Sequence, residues 1–181
     1  MKHKLIIGLL LLCSSFVTAQ EIKWVSLGEA LDLQKKHPKK IMMDVYTNWC
    51  GPCKMLDKNT FHNKDVVNYV NEHYYAVKFN AEGNEEITFN DKVYNNPDYN
   101  PANANRRNGV HNFTRSLGVS AYPTIVFFDE AGQFIAPIRG YQQPRQLELY
   151  LKLFYSDDYK TMKTQDSFNT YYEAFVPEFS E

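Results

Sequence analysis

The sequence predicts an α/β fold in which a mixed central sheet is covered by helices on both faces. Two observations carry this. Segments with helical apolar spacing alternate with short strand-like runs in the order α-β-α-β, a long connection, then β-β-α. The strand-like runs, Ile41–Tyr46 and Ile125–Phe128 above all, are apolar almost throughout, as strands covered on both sides can be.

The chain opens on an address before its first element. Lys2, His3 and Lys4 precede the apolar run Leu5–Leu12, and small residues lead on to Val17-Thr18-Ala19. This is the pattern of a signal peptide over residues 1–19, with cleavage between Ala19 and Gln20. The run falls far short of the ~20 apolar residues that span a bilayer, and no later segment resembles a span. An exported chain, periplasmic or extracellular and with no stable membrane insertion, is therefore expected. A second reading stays open, in which Cys13 carries a lipid anchor; Leu12 speaks against it, because a small residue normally precedes such a cysteine.

From Trp24 to Gln34, apolar residues at Trp24, Leu27, Ala30, Leu31 and Leu33 predict a first helix, with Ser26 as N-cap and Glu29 three residues on. A polar stretch broken by Pro38 precedes the strand Ile41–Tyr46. A helix is expected to start at or near Cys50, to loosen near Asn59-Thr60, and to be followed by a helical stretch over Asp65–Glu72 and a strand over Tyr74–Phe79. The connection from Ala81 to His111 is rich in Asn, Pro and Tyr and too long for an ordinary loop; within it Asn90-Asp91 marks a small hairpin. The strand Ile125–Phe128 turns through residues 129–133 into Phe134–Ile138, and a helix over Leu147–Phe154 closes the unit.

Removing 19 residues from 181 leaves 162, which suits one domain over residues 20–155, with an insertion at about 82–111 and an extension at 156–181. The extension carries Phe168, Tyr171, Tyr172, Phe175 and Phe179, which predict a helix packed on the domain. A formal net charge of −1 gives no basic surface for a polyanion, so nucleic acid is excluded as a partner, and a monomer is expected.

Cysteine usage points to chemistry. Without Cys13, only Cys50 and Cys53 remain in a chain sent to an oxidising compartment. A bridge across two residues restricts the unfolded chain little, so the pair reads as reactive rather than structural. A cysteine at the first turn of a helix meets unpaired N–H groups and the positive end of the macrodipole, both of which favour thiolate. Cys50 is then the outer nucleophile and Cys53, one turn inside, the resolving thiol of a Cys50–Cys53 disulfide couple. Pro52 costs the first turn little, having no N–H to leave unpaired. Metal binding fits less well, because His3, His37, His62, His73 and His111 show no paired spacing to complete a zinc site, and Lys54 excludes a Cys-x-x-Cys-His haem attachment. No cofactor is expected.

The stretch Asp44-Val45-Tyr46-Thr47-Asn48-Trp49-Cys50-Gly51-Pro52-Cys53-Lys54 resembles the active-site region of thioredoxins, and Leu117–Thr124 is similar to that family's second signature, whose proline is cis. The resemblance runs from about Trp24 to Phe154 and implies a thioredoxin fold, with the insertion lying between the second strand and the helix before the cis-proline. It implies that Asp44 is a buried carboxylate exchanging a proton with Cys53, the alternative being a strand residue facing solvent. Lys78 would be a cation modulating Asp44, or surface charge. Pro123 would be the cis residue that frees the backbone of Tyr122 to pair with an extended substrate, with Trp49, Gly51 and Pro52 forming the docking surface around the cysteines. Core packing is the alternative for Trp49.

The sequence also departs from the family. Where thioredoxins carry a helix-kinking proline, this chain has Asp57-Lys58-Asn59, and Asn59-Thr60-Phe61 is closer to secreted thioredoxin-like proteins. The implied function is exchange with protein disulfides outside the cytoplasm, as reductase or isomerase because Gly51-Pro52 matches reducing members, with an unidentified electron donor or acceptor. Two other classes stay open. One is a binding module whose insertion and tail hold a partner, the dithiol being secondary; the other is soft-metal handling by the dithiol.

Overall fold

The structure, a computed structural model, describes residues 21–181, so the expected cleavage site and Cys13 lie outside the described residues. A five-stranded mixed sheet has the order β1 (Trp24–Val25), β3 (Tyr74–Asn80), β2 (Lys40–Tyr46), β6 (Thr124–Phe128), β7 (Phe134–Arg139). The first three run parallel to one another, and β6 and β7 add antiparallel to β2 and to each other.

The expected first helix is corrected at its start. Trp24 and Val25 extend along the edge of β3, and α1 begins only at Leu27, running to Lys36. Ser26 is the boundary for a stated reason: its side chain accepts the Glu29 N–H at 3.2 Å and satisfies a donor that the first turn leaves free. The sheet thus gains a strand that apolar spacing had assigned to the helix.

Side chains alternate strictly across the sheet and build a core on each face. Met42 of β2, Tyr74 and Ala76 of β3, and Ile125 and Phe127 of β6 point to one face. There α3 (Lys64–His73) and α5 (Pro144–Tyr155) cover them with Val66, Val67, Val70, Leu147 and Leu151. Ile41, Met43 and Val45, with Val77, Phe79, Val126 and Phe128, point to the other face, under Leu27 and Ala30 of α1 and Phe113 of α4 (Asn112–Ser116). This parity places Asp44 on the first face, in step with Met42, and Lys78 beside it, in step with Ala76. The parallel register sets Asp44 directly against Lys78.

The long connection is built into the second core. Strands β4 (Ile87–Phe89) and β5 (Lys92–Tyr94) form the expected hairpin, its turn residues Asn90 and Asp91 both at positive φ, as a two-residue turn with matching twist requires. Ile87 and Phe89 are buried against Phe113 and Phe128. Asn96 closes the segment, its amide donating to the carbonyls of Gly83 (2.8 Å) and Gly109 (2.7 Å). A side chain at Gly109 would meet the backbone of Asp98 at 2.6 Å, so the close approach needs glycine. His111 is fully buried and neutral in role: Nδ1 accepts the Phe113 N–H at 3.0 Å, which leaves Nε2 to donate to the Glu85 carbonyl at 2.7 Å. Burial holds its pKa below the usual histidine value.

The extension after α5 contains a helix, α6 (Gln165–Ala174), whose Phe168 and Tyr171 are partly buried against the first core while Tyr172 stays exposed. Beyond it Phe179 enters that core, and the carboxylate of Glu148, itself fully buried on α5, accepts the N–H groups of Glu178 and Phe179 at 2.8–2.9 Å.

Candidate functional site

Strand β2 ends at Tyr46, and four residues later the chain enters α2 (Gly51–Met55). Cys50 is its N-cap, with extended φ and ψ, and its sulfur accepts the Cys53 N–H at 3.1 Å. The two cysteines are joined by a disulfide. After Met55 the helix widens into a π-turn over Leu56–Thr60, where the sequence led us to expect loosening. Thr60 holds that turn through a 2.6 Å bond to the Gln142 carbonyl.

Burial departs from the expected picture of an outer and an inner sulfur. Cys50 is 2% exposed and Cys53 5% exposed in the disulfide form. Exposure does not separate the two residues. Position does: Cys50 caps the helix, whereas Cys53 lines a cavity of about 220 Å³ with Asp44, Thr47, Lys54, Asp57 and Lys78.

Asp44 is 2% exposed, which removes the solvent-facing alternative. Its Oδ1 and the Thr47 Oγ1 are buried without a hydrogen-bond partner among the described residues. Burial pushes its pKa up to about 7; the Lys78 ammonium restrains the rise and the Asp57 carboxylate adds to it. Lys78 takes a direct ion pair with Asp57, on the π-turn, and lies 5.1 Å over the Trp24 ring and 5.7 Å over that of Tyr46. Lys78 therefore acts on Asp44 as a nearby cation, while its direct ion pair goes to Asp57. The register brings Asp44 and Lys78 side by side, and Asp57, reaching over from the π-turn, takes the ion pair.

The second signature meets the cysteines from the other side. The Tyr122–Pro123 peptide is cis, and the Tyr122 N–H and carbonyl enter no hydrogen bond among the described residues. Trp49 is half-buried and meets the Tyr122 ring edge to face at 6.2 Å. It is tied to the long connection: its Nε1 donates to Glu82 Oε2 at 2.7 Å, the same oxygen accepts the Asn108 N–H at 2.9 Å, and the Arg107 guanidinium lies 4.4 Å over its ring. Asn48 donates to the Ala104 carbonyl at 2.8 Å. Gly51 and Pro52 are exposed on the first turn. Sequence reasoning missed Asp57, Glu82, Arg107 and Asn108. Asp57 stood at the departure from the thioredoxin pattern, a usable signal; the others lie in an irregular segment with no period to read.

Residues 27–155 match a family described as a thioredoxin-like domain. The chain belongs to the thioredoxin-like family. Among its relatives is the thiol:disulfide interchange protein DsbD of Pectobacterium atrosepticum, 28% identical over 121 residues, which make up 66% of this chain and 17% of that protein. The chain thus spans about a sixth of that relative. A solved thioredoxin-fold protein from Helicobacter pylori superimposes with a TM-score of 0.58 at 20% identity, covering 85% of this chain and 86% of that one. A candidate disulphide-isomerase from Bacteroides thetaiotaomicron gives a TM-score of 0.51 at 27% identity, over 75% of this chain and 94% of that one. The bridged Cys-x-x-Cys pair at the head of α2 gives this thioredoxin-like domain an arrangement suited to thiol–disulfide exchange.

Proposed function

We propose that the protein exchanges with protein disulfides outside the cytoplasm, with Cys50 as nucleophile and Cys53 as resolving thiol, and that it works as a reductase or isomerase. The observation that carries this reading is the cavity that Cys53 shares with a buried Asp44, directly behind the capping Cys50. In the reduced protein the Cys53 N–H and the helix N-terminus favour the Cys50 thiolate. That thiolate attacks a substrate disulfide, forming one S–S bond as the substrate's own bond breaks and its second sulfur leaves as thiolate. Cys53 passes its proton to Asp44 and attacks the Cys50 sulfur, which releases the other substrate thiolate and closes the Cys50–Cys53 bridge. An external dithiol then restores the reduced pair. When the substrate's own thiol attacks the mixed disulfide first, the same site isomerises.

Charge supports this direction. The carboxylates of Asp44 and Asp57 border the site, and Asp57 engages the ammonium of Lys78, so the thiolate form is stabilised only modestly. Strong oxidants of this kind owe their potential to a stabilised reduced form, and the carboxylates of Asp44 and Asp57 work against that stabilisation. The extracytoplasmic setting rests on the reading of residues 1–19. The activity named for the DsbD relative, thiol:disulfide interchange, agrees with the chemistry.

Cys50→Ser is expected to abolish turnover of a protein disulfide such as insulin's, while Cys53→Ser accumulates a covalent mixed disulfide visible by mass spectrometry under non-reducing conditions. Continued turnover by both variants would sink the assignment of roles.

A further inference from the structure

Beside the cysteines a groove of about 480 Å³ runs between the long connection and the cis-proline loop. Trp49, Val119 and Tyr122 line it, with Arg107 contributed by the connection and Arg115 by α4. Both arginines are exposed. The carboxylate that faces them, Glu82, is buried and already occupied by the Trp49 indole N–H and the Asn108 N–H. The groove therefore presents two guanidinium groups to solvent against one engaged carboxylate, on a chain whose formal net charge is −1. The local excess of positive charge is not a property of the whole surface.

The backbone at the groove adds direction. Among the described residues the N–H and carbonyl of Tyr122 have no partner, and an extended segment can pair with them as an added strand. A segment held there carries its disulfide cysteine to Cys50, and its flanking side chains fall in the groove with Arg107 and Arg115. Arginine matches a carboxylate with two parallel N–H bonds, a geometry lysine does not offer.

We propose that Arg107 and Arg115 select substrates whose disulfide cysteine is flanked by acidic residues. This rests on the oxidoreductase reading and names its substrate class. Exposed ion pairs contribute about 0.2–1 kcal/mol each, so two of them correspond to a preference of roughly two- to thirty-fold at low ionic strength. Charge pairing of this kind acts chiefly on the association rate and fades with salt.

The test uses three symmetric peptide disulfides, each of two identical chains with one cysteine flanked by Asp, Asn or Lys. The second-order rate constant with the reduced protein is divided by that of dithiothreitol with the same peptide, which removes intrinsic differences in disulfide reactivity. The expected order is Asp, then Asn, then Lys, with the spread narrowing at high salt, reduced in Arg115→Gln and lost in the Arg107→Gln/Arg115→Gln double variant. Equal normalised rates for the three peptides would overturn the proposal while leaving the oxidoreductase reading standing, and so would a preference that survives in the double variant. Failure to react with any of the peptides would overturn both.

Discussion

Asp44 sets the pH response of the fold as well as of the site. An aspartate normally ionises near 3.8, and in the folded protein burial delays this to about 7. Between those values the folded state holds a proton that the unfolded chain has released, so stability falls as pH rises through this window and levels off above it. The loss amounts to about 4 kcal/mol at full ionisation. Asp44→Asn, which has no charge to bury, is expected to be more stable than the natural protein at pH 8 by about 2–4 kcal/mol and to show little or no gain at pH 4, read from urea unfolding at each pH. The same variant should resolve mixed disulfides more slowly, because Cys53 has lost its proton acceptor. A gain in stability that is the same at both pH values would contradict the assignment. At this scale the sequence was informative about the cysteines, Asp44 and Pro123, whose spacing is local. It did not show the ion-pair partner of Lys78, because that choice depends on how the π-turn carries Asp57 back across the sheet.

Among the elements, the C-terminal extension shows how a charged residue can be buried at little cost. Glu148 is fully enclosed, yet its carboxylate accepts two backbone N–H groups, that of Glu178 shared between both oxygens and that of Phe179, and pairs with Lys152 at 2.7 Å. Arg145 completes the hold through the Phe179 carbonyl at 3.0 Å, and Asp65 accepts the Ser180 N–H at 2.8 Å. Glu148→Ala strips these N–H groups of their acceptor inside the protein. It is expected to cost about 2–4 kcal/mol and to raise hydrogen exchange at Glu178 and Phe179, with disulfide exchange retained. Unchanged exchange protection at those two amides would show that Phe179 packing alone holds the tail. The aromatic content of the extension announced docking, but the anchor was invisible, since a glutamate in an amphipathic helix reads as solvent-facing until its partners 30 residues away are known. The opening strand was hidden for a related reason. Trp24 fits a helical period with Leu27 and Leu31, and only the edge of β3 decides otherwise.

Over the whole molecule, the five-stranded sheet works as a ruler. Strict alternation puts Asp44 and Lys78 on the face that carries α2, and the order β3-β2-β6 brings the cis-proline loop to the same end as the cysteines. Period-2 and period-3.6 patterns made that frame legible. The long connection was not, because its role comes from single contacts across the chain: Glu82 to Trp49, Ala104 to Asn48, and Arg107 over the indole. Those contacts join the connection to the active-site loop, so that the surface next to the cysteines is shaped by residues with no local signature. The central claim is that this frame holds a reducing dithiol. It is tested most directly by the reduction potential of the Cys50–Cys53 pair, measured by equilibrating the mature protein with glutathione buffers. The charge set around the pair predicts a value near thioredoxin's, about −270 mV. A value near −120 mV, that of a strong disulfide donor, would contradict it.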